Sequence, residues 1–286
     1  MRYAVTLPQL GRAASAQSIK DTARAAEDLG FDDVWVNDHI GFAPATEHPS
    51  PRMFDPFSTM TTAAAVTSRI GIGSQITAAY YPPVLLAKML ASIDSLSGGR
   101  LKVAVGTGWQ PEEFASLGSD FATRGRRTDE IIAFLRGAWA SGTSEFEGAY
   151  YGFPKLKIAP PPPNRDIPLW IAGTAARAVN RAIELGDGYH GLPTRRAIVP
   201  DDKQMAVSAV PDLVRRVRES RPDSATFCIS MYTHEWDPGE HAPDAISRER
   251  DFFREAGVQH VVAALGQSSP EAWLRSVERL ARILGL

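Results

Sequence analysis

The chain has 286 residues, 44% of them hydrophobic, enough core for one α/β barrel of about 250 residues or for two ordinary domains. A formal net charge of −2 leaves no basic footprint for nucleic acid. The single cysteine, Cys228, excludes an intramolecular disulfide and reads as a buried thiol within the apolar run TFCISMY.

In chain order, YAVTLP (3–8) has strand character and opens the sequence without a signal-peptide core, so a cytoplasmic protein is expected. AQSIKDTARAAEDLG (16–30) is amphipathic and ends on a helix-capping glycine. A second strand is DDVWVND (32–38), followed by a polar loop holding Pro44, Pro49 and Pro51. Helix 55–68 carries Pro56 in its first turn, strand three is 69–77, and helix three is 82–99. Strand four is LKVAV (101–105), and TDEIIAFLRGAWA (128–140) lies within the fourth helix. Residues 148–166, with four consecutive prolines at 160–163, read as an insertion within one barrel, because IPLWIAG (167–173) resumes the strand pattern. Helix 175–188 and a short strand near Tyr189–Leu192 come next. Helix 205–220, strand 226–232, helix 244–256, strand 258–265 and helix 270–284 complete the order. About eight strands alternating with helices predict a parallel sheet closed as a (β/α)8 barrel, one domain over 1–286. No run approaches the ~20 apolar residues of a membrane span.

Ligands of such barrels bind at the C-terminal strand ends. Strand two ends in Asp38-His39, a pair able to hydrogen-bond a polar ring or move a proton near neutral pH. Strand three ends around Ser74 and Gln75. Strand four ends in Gly106-Thr107-Gly108-Trp109, where residues without a Cβ allow close approach to a ligand. Glu112 and Glu113 suit a helix N-terminus rather than a carboxylate pair. Arg124, Arg126 and Arg127 are expected to pair with Asp129 and Glu130 on a solvated face. Gly173-Thr174 and the Gly191-Leu192-Pro193-Thr194 segment form a candidate phosphate cradle, with Arg195 and Arg196 adding positive charge. His190 faces the pocket in this reading. His48, His234, His241 and His260 lack metal-ligand spacing.

The run Ser97-Gly98-Gly99-Arg100, a strand, Gly106-x-Gly108-Trp109, Glu112-Glu113, then Arg124-Gly125-x-x-x-Asp129-Glu130 resembles the luciferase-like oxidoreductase superfamily. The resemblance implies a (β/α)8 barrel and a flavin or deazaflavin cofactor across its mouth. It implies Asp38 and His39 at the ring, with His39 as acid/base. It also implies a non-proline cis peptide at Ser74–Gln75 behind the ring, and cofactor contacts from Gly106, Thr107, Gly108, Gly173, Thr174 and Gly191–Thr194. Three departures stand out. Gln75 replaces a small or branched residue, Tyr80-Tyr81-Pro82-Pro83 replaces an Arg-x-Pro pattern, and Trp109 sits where some sugar-phosphate dehydrogenases carry a catalytic glutamate.

The implied function is a coenzyme F420-dependent oxidoreductase passing a hydride to or from a small organic substrate. An FMN-dependent monooxygenase is the alternative, and a non-catalytic flavin-binding barrel the third reading. Nothing in the chain resembles a nicotinamide-binding domain, so a separate enzyme would supply reduced cofactor. A homodimer through barrel helices completes the expectation.

Overall fold

A computed structural model describes residues 1–42, 52–193, 205–221 and 226–286. The first half alternates β1 (Arg2–Thr6), α1 (Ala16–Leu29), β2 (Asp33–Asn37), α2 (Pro56–Val66), β3 (Gly71–Thr77), α3 (Pro83–Ser97) and β4 (Leu101–Gly106). A short helix α4 (Pro111–Ser116), the long α5 (Arg124–Ser141) and a hairpin of β5 (Phe146–Glu147) with β6 (Gly152–Phe153) follow. The second half runs β7 (Leu169–Ala172), α6 (Ala176–Leu185), β8 (Gly188–Gly191), α7 (Val210–Ser220), β9 (Cys228–Thr233), α8 (Pro243–Glu255), β10 (His260–Ala263) and α9 (Pro270–Leu284).

The eight long strands close in the order β1-β10-β9-β8-β7-β4-β3-β2, every pair parallel. This is the expected (β/α)8 barrel. Residues 148–166 interrupt a single sheet, since β4 pairs directly with β7 across them. The short α4 begins where Glu112 and Glu113 suggested a helix start, and the β5–β6 hairpin is absent from the sequence reading. Among the described residues no helix is long and apolar enough to cross a membrane.

Local chemistry explains the element ends. Ser15 caps α1 by accepting from Ser18 N while the Ser18 hydroxyl accepts from Ser15 N, and Gly30 closes the helix at φ 91°. The Ser97–Arg100 turn is structural: Gly98 at φ 74° ends α3, and Arg100 donates to the carbonyls of Ile70 and Ser97. That turn precedes β4, so it lies at the end of the barrel opposite the strand C-termini.

Period-2 alternation divides the strands between two cores. Val34 and Val36 of β2 face the helices, in a layer with Ile72, Val103, Val105 and Ile171. Trp35 faces inward and packs with Ala4, Ala104, Trp170, Val262 and Ala264. Each buried Val or Ile contributes about 1.5–3 kcal/mol, so the outer layer dominates the stability of the fold. The inner one is filled by Trp35 stacked on Trp170, with centroids 5.7 Å apart and an interplanar angle of 19°. Gly73 makes that possible, because a Cβ there would fall 1.8 Å from the Trp35 ring.

Candidate functional site

At the C-terminal end of β2 the chain delivers Asp38 and His39. Asp38 is buried; one carboxylate oxygen accepts from Thr77 N at 2.9 Å and the other from the Tyr81 hydroxyl at 2.6 Å. Burial pushes its pKa up to about 6, against the lowering effect of the two hydrogen bonds. Asp38 therefore ties β2 to the end of β3.

His39 keeps 23% of its side chain exposed. Its Nδ1 lies 3.2 and 3.3 Å from the two carboxylate oxygens of Glu113. Glu113 also accepts from the Tyr80 hydroxyl at 2.6 Å, Ile40 N at 2.7 Å and Gln110 Nε2 at 3.1 Å. Burial alone would raise the Glu113 pKa; the hydrogen bonds from His39 and Tyr80 outweigh it and hold the carboxyl below its ordinary value. An ionised, acceptor-only Glu113 fixes the proton of a neutral His39 on Nδ1. The opposite nitrogen, Nε2, is then a base turned away from the carboxylate. Phe42 and Trp109 flank the ring at 5.0 and 6.2 Å.

The reading of Glu113 as a helix-start residue is thus incomplete. It does occupy the first turn of α4, yet its buried side chain is the anchor of His39. Tyr80 and Tyr81 stand in the sequence only as a departure from the family pattern, and Gln110 carries no signal there. For Glu113 a signal existed: Gln-Pro-Glu-Glu follows directly on the strand-four end, so any carboxylate in that turn must sit near the mouth.

Six inward positions ring the barrel near the mouth: Asn37, Gln75, Gly106, Ala172, His190 and Tyr232. Asn37 donates to the Tyr232 hydroxyl at 2.8 Å. A Cβ on Gly106 would lie 3.8 Å from Gln75 Nε2 and 3.9 Å from Ala172 Cβ, and Ala172 pairs in register with His190. Among the described residues, Gln75 Oε1 and His190 Nε2 are buried without a partner. Unpartnered buried polar atoms beside glycine and alanine fit a polar, planar guest such as a flavin or deazaflavin ring, because such atoms are normally satisfied. Asn37, Gln75, His190 and Tyr232 are the side chains that would hold it.

The other expected contacts distribute unevenly. Ser74 has the opposite parity to Gln75 and lies on the helix side of β3, so it can offer the mouth only its backbone. The Ser74–Gln75 bond is trans, and the one cis bond among the described residues is Ala159–Pro160. The expected cis bond is absent, and β3 runs unbroken from Gly71 to Thr77 in continuous register with β4. Thr107 and Gly108 follow β4 into the mouth. Gly108 adopts φ 76°, and a Cβ there would meet Phe114 at 2.7 Å. The amide of Gly173 is already spent on the His190 carbonyl, and its carbonyl on the Tyr189 hydroxyl, so it offers no free amide to a phosphate. Thr174 lies beyond it, before α6. Gly191 faces outward, where a Cβ would meet Met231 at 2.7 Å, while Leu192 packs against the inner core and Pro193 bridges Met205. Thr194, Arg195, Arg196 and His48 lie outside the described residues.

The arginine expectation needs correction. Asp129 pairs with Arg181, and Glu130 accepts from the backbone amides of Ala149, Tyr150 and Tyr151. Arg124 instead donates to the Gly108 carbonyl at 3.2 Å and stacks on Phe121, while Arg127 lies over Tyr150 and Tyr151. The hairpin and α6 offer these carboxylates better-placed donors than their own helix does. Cys228 is the buried thiol expected, with its pKa raised by burial and its sulfur accepting from Arg2.

Comparison with known proteins agrees with this geometry. The profile of the luciferase-like monooxygenase family matches residues 3–273, and the chain belongs to that family. An uncharacterized protein of Mycobacterium tuberculosis (strain ATCC 25618 / H37Rv) is 32% identical over 223 residues, covering 73% of this chain and 74% of the relative. Pyrimidine monooxygenase RutA of Pseudomonas savastanoi pv. phaseolicola is 30% identical over 197 residues, 65% of this chain and 54% of that one. Among solved structures, monooxygenase RslO1 from Streptomyces bottropensis superposes with a TM-score of 0.81 at 19% identity, covering 99% of this chain and 98% of that one. An F420-dependent secondary alcohol dehydrogenase in complex with an F420-acetone adduct does so at 0.79 and 19%, covering 99% and 97%. These two likenesses establish the shared fold.

Proposed function

We propose that the chain is a coenzyme F420-dependent oxidoreductase that acts on a small organic substrate at the barrel mouth. The observation that carries this reading is the His39–Glu113 pair: a partly exposed imidazole oriented by a buried carboxylate at the end of β2. When bound, the cofactor supplies the two-electron chemistry, which no side chain here can perform. His39 Nε2 accepts the proton of a substrate hydroxyl when the carbon is oxidised and returns it when a carbonyl is reduced. Glu113 stabilises the imidazolium formed in the first case. Tyr80 and Tyr81 stay neutral, since burial and the adjacent carboxylates hold both phenols well above their ordinary range. Phe42 and Trp109 pack beside the imidazole and leave it partly exposed.

A second reading, an FMN-dependent monooxygenase, is favoured by the similarity to RutA. For reduction of a carbonyl or for oxygen chemistry, either version draws reduced cofactor from a separate enzyme. The proposal includes a homodimer through the outer face of α3, where Leu85 and Leu96 are exposed; a monomer in sedimentation velocity would discard that part.

Parallel titration of the protein with F420 and FMN separates the readings. Micromolar F420 binding with weak FMN binding supports hydride transfer. The reverse preference supports oxygen chemistry, and binding of neither removes the cofactor assignment. Redox turnover that survives the loss of the His39 imidazole would remove it from its acid/base role.

A further inference from the structure

Below the mouth a second polar system crosses the barrel interior. Lys102 and His260 both contact Asp33, the latter through Nε2 at 3.1 Å. His260 Nδ1 lies 2.7 Å from Ser230 Oγ, and Ser230 Oγ lies 2.9 Å from His190 Nδ1. Asp33, Ser230, His190 and His260 are all completely buried. The chain starts at the first residues of β2 and β10 and climbs to His190, one residue short of the end of β8.

We propose that this chain locks His190 as its Nδ1–H tautomer, so that Nε2 offers a lone pair to the mouth and selects a bound molecule carrying an N–H or O–H donor. The polarity follows step by step. Asp33 beside Lys102 and His260 is ionised, held well below the usual carboxylate range, and can only accept. His260 therefore donates from Nε2. Burial, together with the Lys102 and Arg2 charges, lowers its pKa against the pull of Asp33 and keeps the ring neutral, so its Nδ1 accepts. Ser230 must spend its one proton there, which leaves its oxygen able only to accept from His190 Nδ1–H. Burial takes the His190 pKa down to about 3, so no second proton sits on Nε2.

Among the described residues that nitrogen has no partner. On the side of β8 opposite Ser230, His190 pairs in register with Ala172 of β7, and Gly106 of β4 lies beside Ala172. Neither has a side-chain donor. A buried acceptor left unsatisfied costs binding or stability, so a guest meeting it with a donor gains relative to one presenting a carbonyl. His190 is a binding residue in this scheme; Ser230, His260 and Asp33 are positioning residues. The inference rests on the proposed function only for the identity of the guest.

Long-range proton–nitrogen correlation NMR on histidine-labelled protein without ligand reads the tautomer directly. A pyridine-type Nε2 and pyrrole-type Nδ1 on His190 are expected. A pyrrole-type Nε2, or a charged ring, overturns the inference. Ser230→Ala is expected to mix the tautomers, and Ser230→Thr to restore the single form; an unchanged spectrum in Ser230→Ala removes the positioning role. Calorimetric titration with FMN and with F420 then compares the native protein with His190→Phe, which keeps the ring stack. Roughly tenfold weaker binding is expected for whichever cofactor binds, and equal affinity overturns the donor-selecting role. If neither cofactor binds the native protein, the proposed function fails, and the tautomer measurement alone decides this inference.

Discussion

Two of the histidine–carboxylate pairs among the described residues differ chiefly in their height in the barrel. His39 and Glu113 sit at the strand C-termini, where the imidazole keeps 23% of its surface. His260 and Asp33 sit at the opposite end, with no exposure at all. Both carboxylates orient an imidazole through one ring nitrogen. At the mouth the second nitrogen is the proposed base. In the interior it is absorbed by Ser230. Identical chemistry is thereby a catalytic candidate in one place and an internal brace in the other, and the strand end at which it is mounted decides which.

The comparison can be broken most severely at its two histidine systems. His39→Ala should cut turnover by about 10²–10⁴-fold, the usual worth of a positioned acid/base group, with the unfolding curve unchanged; steady-state kinetics beside denaturant titration checks both halves. Asp33→Ala should do the reverse. It strands Lys102 and His260 without their counter-charge and should lower unfolding free energy by about 3–5 kcal/mol. If its loss is instead confined to activity, the interior system is no brace.

Asp38 sharpens the contrast through pH. Its folded pKa of about 6 lies above the ordinary 3.8, so the folded state holds the proton more tightly. Its contribution to stability is complete below pH 3.8 and is lost as pH rises through about 6. Asp38→Asn should then stabilise the protein at pH 7 by up to about 2–3 kcal/mol, with the difference vanishing below pH 4; thermal melts across that range test it. The smallest effect belongs to Glu113→Gln. Without the carboxylate the His39 ring loses the acceptor that fixes its Nδ1 proton, and steady-state kinetics reads the effect. Turnover should fall by about tenfold, less than for loss of the imidazole itself.

These differences mark what the sequence could reveal. Asp38-His39 is adjacent in the chain and stands at a strand end, so its place at the mouth follows from the alternation of strands and helices alone. The barrel follows from the same alternation. Glu113 is 74 residues from His39, and Asp33 is 227 from His260. Contacts of that span depend on barrel closure and register, which periodicity does not encode. Ser74 shows the same limit at one-residue scale: strand and position are correct, but parity turns its hydroxyl toward the helices. The arginines after Gly108 mislead for a related reason. Spacing along one helix suggests partners, while the hairpin and α6 supply others from outside it.

The two indoles wedged inside the barrel carry one more consequence. Trp35 and Trp170, nearly parallel at 5.7 Å, are rigidly fixed chromophores, and Trp35 also lies 5.1 Å from the His190 ring. Near-ultraviolet circular dichroism from such a fixed pair vanishes when specific packing is lost, even while helices persist. The barrel interior thus contains its own optical gauge, readable without label or ligand.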